Sequence, residues 1–341
     1  MLDSSHSPEQ KTLLAGAIAR ALAVFCVDEV VVFDDDENYT YSNERDQSSS
    51  NDDESLYNHG NRREYTAYSD PSHFLAHLLS YLETPPYLRK HLFPMHPNLR
   101  SAGLLPSLDM PHHLRANEWC DYREGIVVST TDQRNQPQSR NKGNKKRSFN
   151  SYSADDSDDS NPSHDGFSRT VVDTGLSNKV IVSGGNLPER SRVTVRLQQD
   201  GAEPVHPSAP RAEAGYYWGY YVRRSRSLSN VFTECPFDGG YDLSFGTSER
   251  GAPVHRVLEE ESHSFPRYKH MLIVFGGVAG IEAAIRNDPQ LREMDFQPTE
   301  AEKLFDYWVN FLPGQGSRTI RTEEAVWLGL TSLRGLAEKK Q

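Results

Sequence analysis

The chain has 341 residues, 36% of them hydrophobic and 25% charged, and a formal net charge of −11. That length suits two domains, or one domain with a large insertion, and the low apolar share divides the chain into packed core and polar filler. No apolar run approaches the roughly 18 residues of a membrane-spanning helix, no basic start with an apolar stretch marks a secretory signal, and three scattered cysteines (Cys26, Cys120, Cys235) leave no disulfide framework or CxxC metal pair, as expected of a reducing, intracellular setting.

Pro8 and Glu9 open a predicted helix with Leu13, Leu14, Ala17, Ile18, Ala21 and Leu22 at helical spacing. Glu29–Phe33 (Glu-Val-Val-Val-Phe) reads as a buried strand. Residues 34–70 follow, where eleven acids face three bases and carry −8, leaving about −3 on the rest of the chain. The segment reads as a disordered loop, and the near-neutral remainder does not exclude an anionic partner such as RNA. Ser72–Tyr81 reads as a helix with Phe74, Leu75, Leu78 and Leu79 on its apolar face, stopped by Pro85-Pro86, and Leu88–Phe93 as a short one.

From about Asp121 the texture is β. Arg123–Val128, Arg169–Asp173, Lys179–Val182 and Arg192–Leu197 are short, β-branched runs, a module of roughly five strands for which an OB-like barrel is one candidate. A second polar stretch, residues 130–165, interrupts it. Its basic part (Arg140, Lys142, Lys145, Lys146, Arg147) reads as a solvated loop, a nuclear import signal or an RNA-gripping arm. After the Pro-rich 204–210, α/β texture returns: strand Gly215–Val222, helix from Ser227 to Phe232, strand Tyr241–Phe245, apolar parallel-type strand His270–Phe275, helix Ile281–Ile285, strand or short helix Leu304–Val309, glycine-rich turn Phe311–Arg318 and helix Thr322–Leu333. The expected organisation is an α/β domain of residues 1–106 and 214–341, split by a β module at 107–213.

Several chemistries fail on spacing. The turn Gly276-Gly277-Val278-Ala279-Gly280 lies where a parallel strand ends and ligands bind, yet it lacks the dinucleotide fingerprint. No phosphate-gripping G-x-x-x-x-G-K-[ST] and no G-x-S-x-G elbow occurs. The histidines form no metal constellation; His112 and His113 are adjacent and cannot both face one site on a regular helix. The aromatic run Tyr216–Tyr221, followed by Arg223, Arg224 and Arg226, reads either as core or as a base-stacking, phosphate-gripping strand, with the arginines the better candidates.

The most specific stretch runs from Asn310 to Ala325, Asn-Phe-Leu-Pro-Gly-Gln-Gly-Ser-Arg-Thr-Ile-Arg-Thr-Glu-Glu-Ala. A rigid loop precedes a helix N-terminus, with Arg318 and Arg321 three apart. Together with Gly246-Thr247-Ser248-Glu249-Arg250-Gly251, Val274-Phe275-Gly276-Gly277, Arg123-Glu124-Gly125-Ile126-Val127-Val128 and Tyr81-Leu82-Glu83, it resembles the SPOUT, or trefoil-knot, class of S-adenosylmethionine-dependent RNA methyltransferases. The nearest likeness is to the archaeal and eukaryotic branch with an inserted β-barrel, whose animal members are linked to the mitotic spindle and kinetochore. The resemblance covers nearly all of the chain outside the two polar stretches.

This resemblance implies a knotted α/β domain that binds S-adenosylmethionine against three loops, after Phe245, after Phe275 and at 310–319. It carries over Arg250, Gly251, Gly276, Gly277, Asn310 and Phe311 as cofactor contacts, with Leu312, Gln315, Ser317 and Thr319 beside them. It also implies a homodimer through the knot, no membrane association, a β module that helps to hold RNA, and nuclear or nucleolar residence with cytoplasmic or spindle-associated alternatives. A uracil N3 in ribosomal RNA is the expected acceptor; a non-catalytic RNA-binding or spindle scaffold that keeps the pocket is the alternative. In-line methyl transfer needs alignment and loss of a proton. Arg318 and Arg321 are candidates to orient RNA or an anion, and Glu249 and Glu323 are the candidate bases, with a helix-cap partner as the other reading of Glu323. Two departures from the family pattern stand out. Its opening strand is absent before the first helix, from a displaced start or a sheet that lacks this element, and Phe311 stands where a small hydroxyl residue is frequent.

Overall fold

The computed structural model describes residues 6–35, 65–131, 169–183, 187–199, 201–261 and 265–338. Most of the two polar stretches expected to be disordered lies outside them, at 36–64 and 132–168. The ends of the acidic stretch are placed, against expectation: Thr66 and Ala67 are buried, and Asp70 caps a helix. Local apolar contact outweighs composition there, since Tyr65 packs edge-on to Phe74. The chain forms two compact units, Leu114–Gly215 and the remainder.

In the larger unit, helix α1 (Pro8–Val24) starts at Ser7 with a reciprocal cap: the Ser7 hydroxyl accepts from the Gln10 N–H, and the Gln10 side-chain carbonyl accepts from the Ser7 N–H. Strand β1 (Glu29–Phe33) follows. Helix α2 (Pro71–Glu83) begins where the Asp70 carboxylate accepts from the His73 N–H and ends before Pro85. Helix α3 (Pro86–Leu92) and two 3-10 turns, Pro97–Leu99 and Ala102–Leu104, complete this half. His112 and His113 occupy a turn rather than a helix, so both Nε2–H groups reach one acceptor, the Glu83 carbonyl, at 2.9 and 2.6 Å.

The smaller unit is a closed five-stranded barrel, in order β2-β3-β4-β6-β5: β2 (Tyr122–Thr131), β3 (Arg169–Asp173), β4 (Val180–Ser183), β5 (Arg192–Gln198) and β6 (Gly201–Val205). Val127, Val172, Val182, Val195 and Ala202 fill its interior. Strand β6 carries Pro204 and was not among the runs read from the sequence. It pairs antiparallel with β5 and meets β4 at Val182–Ala202, which closes the ring. Helix α4 (Ala209–Ala214) ends the unit at Gly215.

The chain then returns with β7 (Tyr221–Ser225), α5 (Leu228–Thr233), β8 (Leu243–Pro253), α6 (Val254–Glu260), β9 (Met271–Val274), α7 (Ile281–Asn287), α8 (Pro289–Glu293), a 3-10 segment (Pro298–Leu304), β10 (Tyr307–Asn310) and α9 (Thr322–Ala337). The expected strand Gly215–Val222 is displaced: the ladder begins at Tyr221 and takes in Arg223 and Arg224, because β7 pairs in parallel with β1 from Glu29–Tyr221 to Phe33–Ser225. The parallel strands form two ladders, β1-β7 and β10-β8-β9. Residues of α1, α2, β1 and β7 share one core around Leu22, Leu79 and Val222. A second core gathers Val274, Ile281, Ile285 and Phe305, and a third Leu243, Phe245, Val309 and Leu333.

Candidate functional site

Strands β10, β8 and β9 are parallel, so their carboxyl ends lie on one side, where open α/β sheets bind ligands. Three segments leave that edge: the distal part of β8, the turn after β9 at 275–280, and the loop after β10 at 311–321. The first was expected as a free loop. It is instead a bulge within one long strand: Gly246 pairs with Trp308 and Ala252 with Val309, so Thr247–Gly251 swing out of the ladder.

Asn310 ties two of the segments together. Its Nδ2 donates to the Glu249 carbonyl at 2.8 Å, and its Oδ1 accepts from the Leu312 N–H at 2.9 Å. One amide thus fixes the β8 bulge against the loop that follows β10. Gly251 makes this approach possible. A Cβ there would lie 2.4 Å from the Val309 carbonyl carbon and 2.7 Å from its Cα. Gly276 is held as tightly, with the backbone of Gly280 and Ile281 at 2.6 Å from a Cβ position, and Gly277 and Gly280 pair across the turn. The Phe275 and Phe311 rings lie 6.2 Å apart, and both rest on Gly329 of α9. Phe311 therefore serves as an apolar seat joining the second and third segments.

The remaining candidates line the outside of this arrangement. Leu312, Ser317 and Thr319 are exposed and Gln315 half-buried; the Gln315 Nε2 donates to the Ser317 carbonyl, and the Ser317 hydroxyl to the Thr319 carbonyl. Gly314 turns the loop at φ +77. Arg250 is exposed, with a long ion pair of 3.7 Å to Glu282. Glu282, in the first turn of α7, was missed in the sequence; its signal was an acid directly after the Gly280-Ile281 helix start.

Arg318 and Arg321 are both exposed and have no ion-pair partner among the described residues. The structure corrects one expectation at α9. The residue that caps the helix is Glu324, whose carboxylate accepts from the Arg321 N–H at 2.9 Å. Glu323 is half-buried and makes no hydrogen bond to the described residues. Glu249 is exposed on the bulge, with its carbonyl engaged by Asn310 and its carboxylate at the surface.

Another set is not brought to this edge. Arg223 donates to the Glu29 carboxylate (3.0 Å), the Val231 carbonyl and the Tyr241 hydroxyl, and Arg224 to Asp70 (2.9 Å) and Ser72 (2.8 Å). These guanidiniums join β7 to β1 and to the start of α2, so they do not serve as phosphate grips. Of the aromatic run, Tyr220 is buried with its hydroxyl on the Leu79 carbonyl, while Tyr216 and Tyr221 are exposed.

A family profile described as "Putative RNA methyltransferase" matches residues 1–333. The chain belongs to this RNA methyltransferase family. It is 40% identical to a human protein named 28S rRNA (uridine-N(3))-methyltransferase, over 98% of this chain and 75% of that one. The mouse protein of that name is also 40% identical, over 98% and 74%, and the Drosophila melanogaster one 39%, over 98% and 60%. Family membership implies a methyl donor, and the glycine-lined edge of β10-β8-β9 has the chemistry to hold one. Backbone approach is unobstructed at Gly314 and Gly316, where nothing stands within 4 Å of a Cβ position. Two aromatic rings and several loop amides supply an apolar seat and polar donors.

Proposed function

We propose that this protein methylates uridine N3 in ribosomal RNA with S-adenosylmethionine as donor. The observation that carries the reading is the Asn310 amide, which joins the β8 bulge to the 311–321 loop and so assembles a donor site from separate segments of one sheet edge. The names of the human, mouse and Drosophila relatives support the choice of substrate and atom.

The donor supplies an electrophilic methyl on a sulfonium. The backbone of Gly276, Gly277, Leu312, Gln315, Ser317 and Thr319, with Arg250, Gly251, Asn310 and Phe311, would hold and orient it, and would retain the neutral thioether left when the S–CH3 bond breaks. In-line displacement draws its rate from alignment, so rigidity at Gly251 and Gly276 is the main contribution of the fold. The acceptor N3 must lose a proton as it gains the methyl. Glu249 and Glu323 are the carboxylates proposed to take it, Glu323 being relieved of capping by Glu324. Arg318 and Arg321, exposed on the loop before α9, hold the RNA and offset negative charge that develops on the uracil.

The same reading includes a trefoil knot, an OB-like barrel that helps to grip RNA, a homodimer and nucleolar residence with the rRNA. Support for the knot is the return of β10 to pair with β8 on the side away from β9, and the close approach of the β8 bulge to the Val309 backbone at Gly251. Support for the dimer is apolar surface on α1 at Leu13 and Val24, on a helix that packs beside α9.

The test is titration of the purified protein with S-adenosylmethionine in a calorimeter, followed by methylation of rRNA. Micromolar binding and 3-methyluridine in the product are expected. Arg318→Ala should bind the donor within about twofold of wild type and lose transfer. Donor binding with no transfer to any RNA would favour the scaffold, and full activity in Arg318→Ala would remove the arginine from the mechanism.

A further inference from the structure

The barrel unit carries a feature that the methyl-donor edge does not use. Trp119 is 75% exposed, in a segment that runs from Leu114 to Asp121 ahead of β2. Burying an indole is among the larger apolar gains open to a side chain, so a tryptophan left in water needs a reason. It makes no ring contact to the described residues.

The segment that presents it is held firmly. Arg123, 1% exposed, projects from β2 beneath it. Its guanidinium donates to the carbonyls of Leu114 (3.2 Å), Arg115 (3.3 and 3.2 Å) and Glu118 (3.0 Å), and its Nε to the Thr174 carbonyl (3.2 Å). The Glu118 carboxylate accepts from the Arg115 N–H at 2.8 Å, and the Glu118 N–H donates back to the Arg115 carbonyl, closing a turn. One buried cation thus fixes the Trp119 segment and joins it to the β3–β4 turn that starts at Thr174. An exposed aromatic on a preorganised backbone loses little entropy when it binds.

Charges of both signs lie on the two segments that Arg123 joins. Arg115 on the same turn and Lys179 at the end of the β3–β4 turn are exposed, and neither has an ion-pair partner among the described residues. Glu118, Asp121 and Asp173 are the acids of these segments, and Glu118 and Asp173 accept backbone N–H groups, of Arg115 and of Gly175. An exposed ring on a fixed backbone, with one unpaired cation on each of the two joined segments, suits single-stranded nucleic acid, in which a base face stacks and the phosphates pair.

We propose that Trp119 stacks on an unpaired base of the RNA substrate, with Arg115 and Lys179 contacting the adjacent phosphates and Arg123 as the positioning residue beneath. This rests on the RNA methyltransferase reading and adds a specific contact to it.

The experiment measures binding of a fluorescein-labelled oligouridylate of about 12 nucleotides, the scale of one barrel's site, together with KM and kcat for rRNA. Trp119→Ala should weaken oligouridylate binding about tenfold and raise KM with kcat unchanged, while its melting temperature stays at the wild-type value. Trp119→Phe should recover most of the affinity. Arg115→Ala and Lys179→Ala should each lower the salt dependence of binding by about one counterion. Wild-type affinity and KM in Trp119→Ala would overturn the platform and leave the methyltransferase reading intact. If the wild-type protein neither binds oligouridylate nor methylates rRNA, the function and the platform fall together. If Trp119→Ala changes only self-association in sedimentation, the ring is a protein contact and the proposal is refuted.

Discussion

Gly251→Ala puts the packing of the donor edge to the test. The new methyl would sit 2.4 Å from the Val309 carbonyl carbon and 2.7 Å from the Val309 N and Cα. Ordinary carbon–carbon contact begins at about 3.5 Å, so strands β8 and β10 must part by roughly 1 Å. The obstacle is backbone in the middle of a parallel pair, so no side-chain rotation can relieve it. Overpacking of this kind costs about 1–3 kcal/mol, which lowers the melting temperature by roughly 2–12 °C in a unit of this size. The same displacement lengthens the 2.8 Å bond from Asn310 to the Glu249 carbonyl, so donor affinity should fall at least tenfold. Differential scanning fluorimetry and calorimetric titration with S-adenosylmethionine measure the two effects. Gly316→Ala is the control, since nothing lies within 4 Å of its Cβ position and its stability should hardly change. Wild-type melting and wild-type donor affinity in Gly251→Ala would refute the argument that this glycine sets the strand spacing.

Asn310→Ala removes one bond on each side of its amide, each worth about 0.5–1.5 kcal/mol, and should weaken donor binding about tenfold by titration and lower the melting temperature by a few degrees. Arg123→Met leaves the buried Thr174 carbonyl without its donor, at about 1–3 kcal/mol, and gives up the part-buried bonds to the carbonyls of Leu114, Arg115 and Glu118; the barrel should unfold below the wild-type temperature, and calorimetry would show that transition. Burial pushes the Asp34 carboxyl up to about 6, against the opposing hydrogen bond from Ser72 and the charge of Arg224. A raised carboxyl stabilises the fold below its unfolded value near 4 and loses that contribution as pH rises through 6. Asp34→Asn should therefore gain stability relative to wild type at pH 7–8 and show no gain at pH 4 in denaturant melts. Burial lowers His77 and His113 to about 3, helped by His73 and His96 beside the first and His112 beside the second. Their neutral forms stabilise the fold above about pH 6.5, and each group withdraws about 1.4 kcal/mol per pH unit as pH falls below that. Urea melts from pH 7 to pH 4 should show this slope, and it should shrink in His113→Asn.

Local chemistry decided much of this protein in advance. Ser7-Pro8 with Gln10 marks a helix start through groups that bond within three residues, so the sequence carries the whole interaction; Asp70-Pro71 carries the same local signal, although composition assigned Asp70 to the acidic loop. Val30–Phe33 and Met271–Val274 are apolar on both faces, which only a covered parallel sheet accommodates. The Asn310–Ala325 stretch carried the family likeness because a glycine loop and a helix start are written in consecutive residues.

Other features waited for partners far along the chain. Arg223 meets Glu29 across a separation of 194 residues, and Arg224 meets Asp70 across 154, so no local pattern could tell an internal clamp from a phosphate grip. The stretch Gly246–Gly251 reads as a loop until Val309 pairs with Ala252 and turns it into a bulge within a strand. Strand β6 contains a proline that argues against a strand, yet the barrel has to close and antiparallel pairing with β5 recruits it. Glu323 and Glu324 are adjacent in sequence and equal in chemistry; the orientation of one helical turn gives the cap to Glu324 and leaves Glu323 for other work. Sequence alone determines what can be settled within one turn or one strand. Which charge pairs with which, and where a loop is pressed into a ladder, is settled only when distant backbones close to within hydrogen-bonding distance.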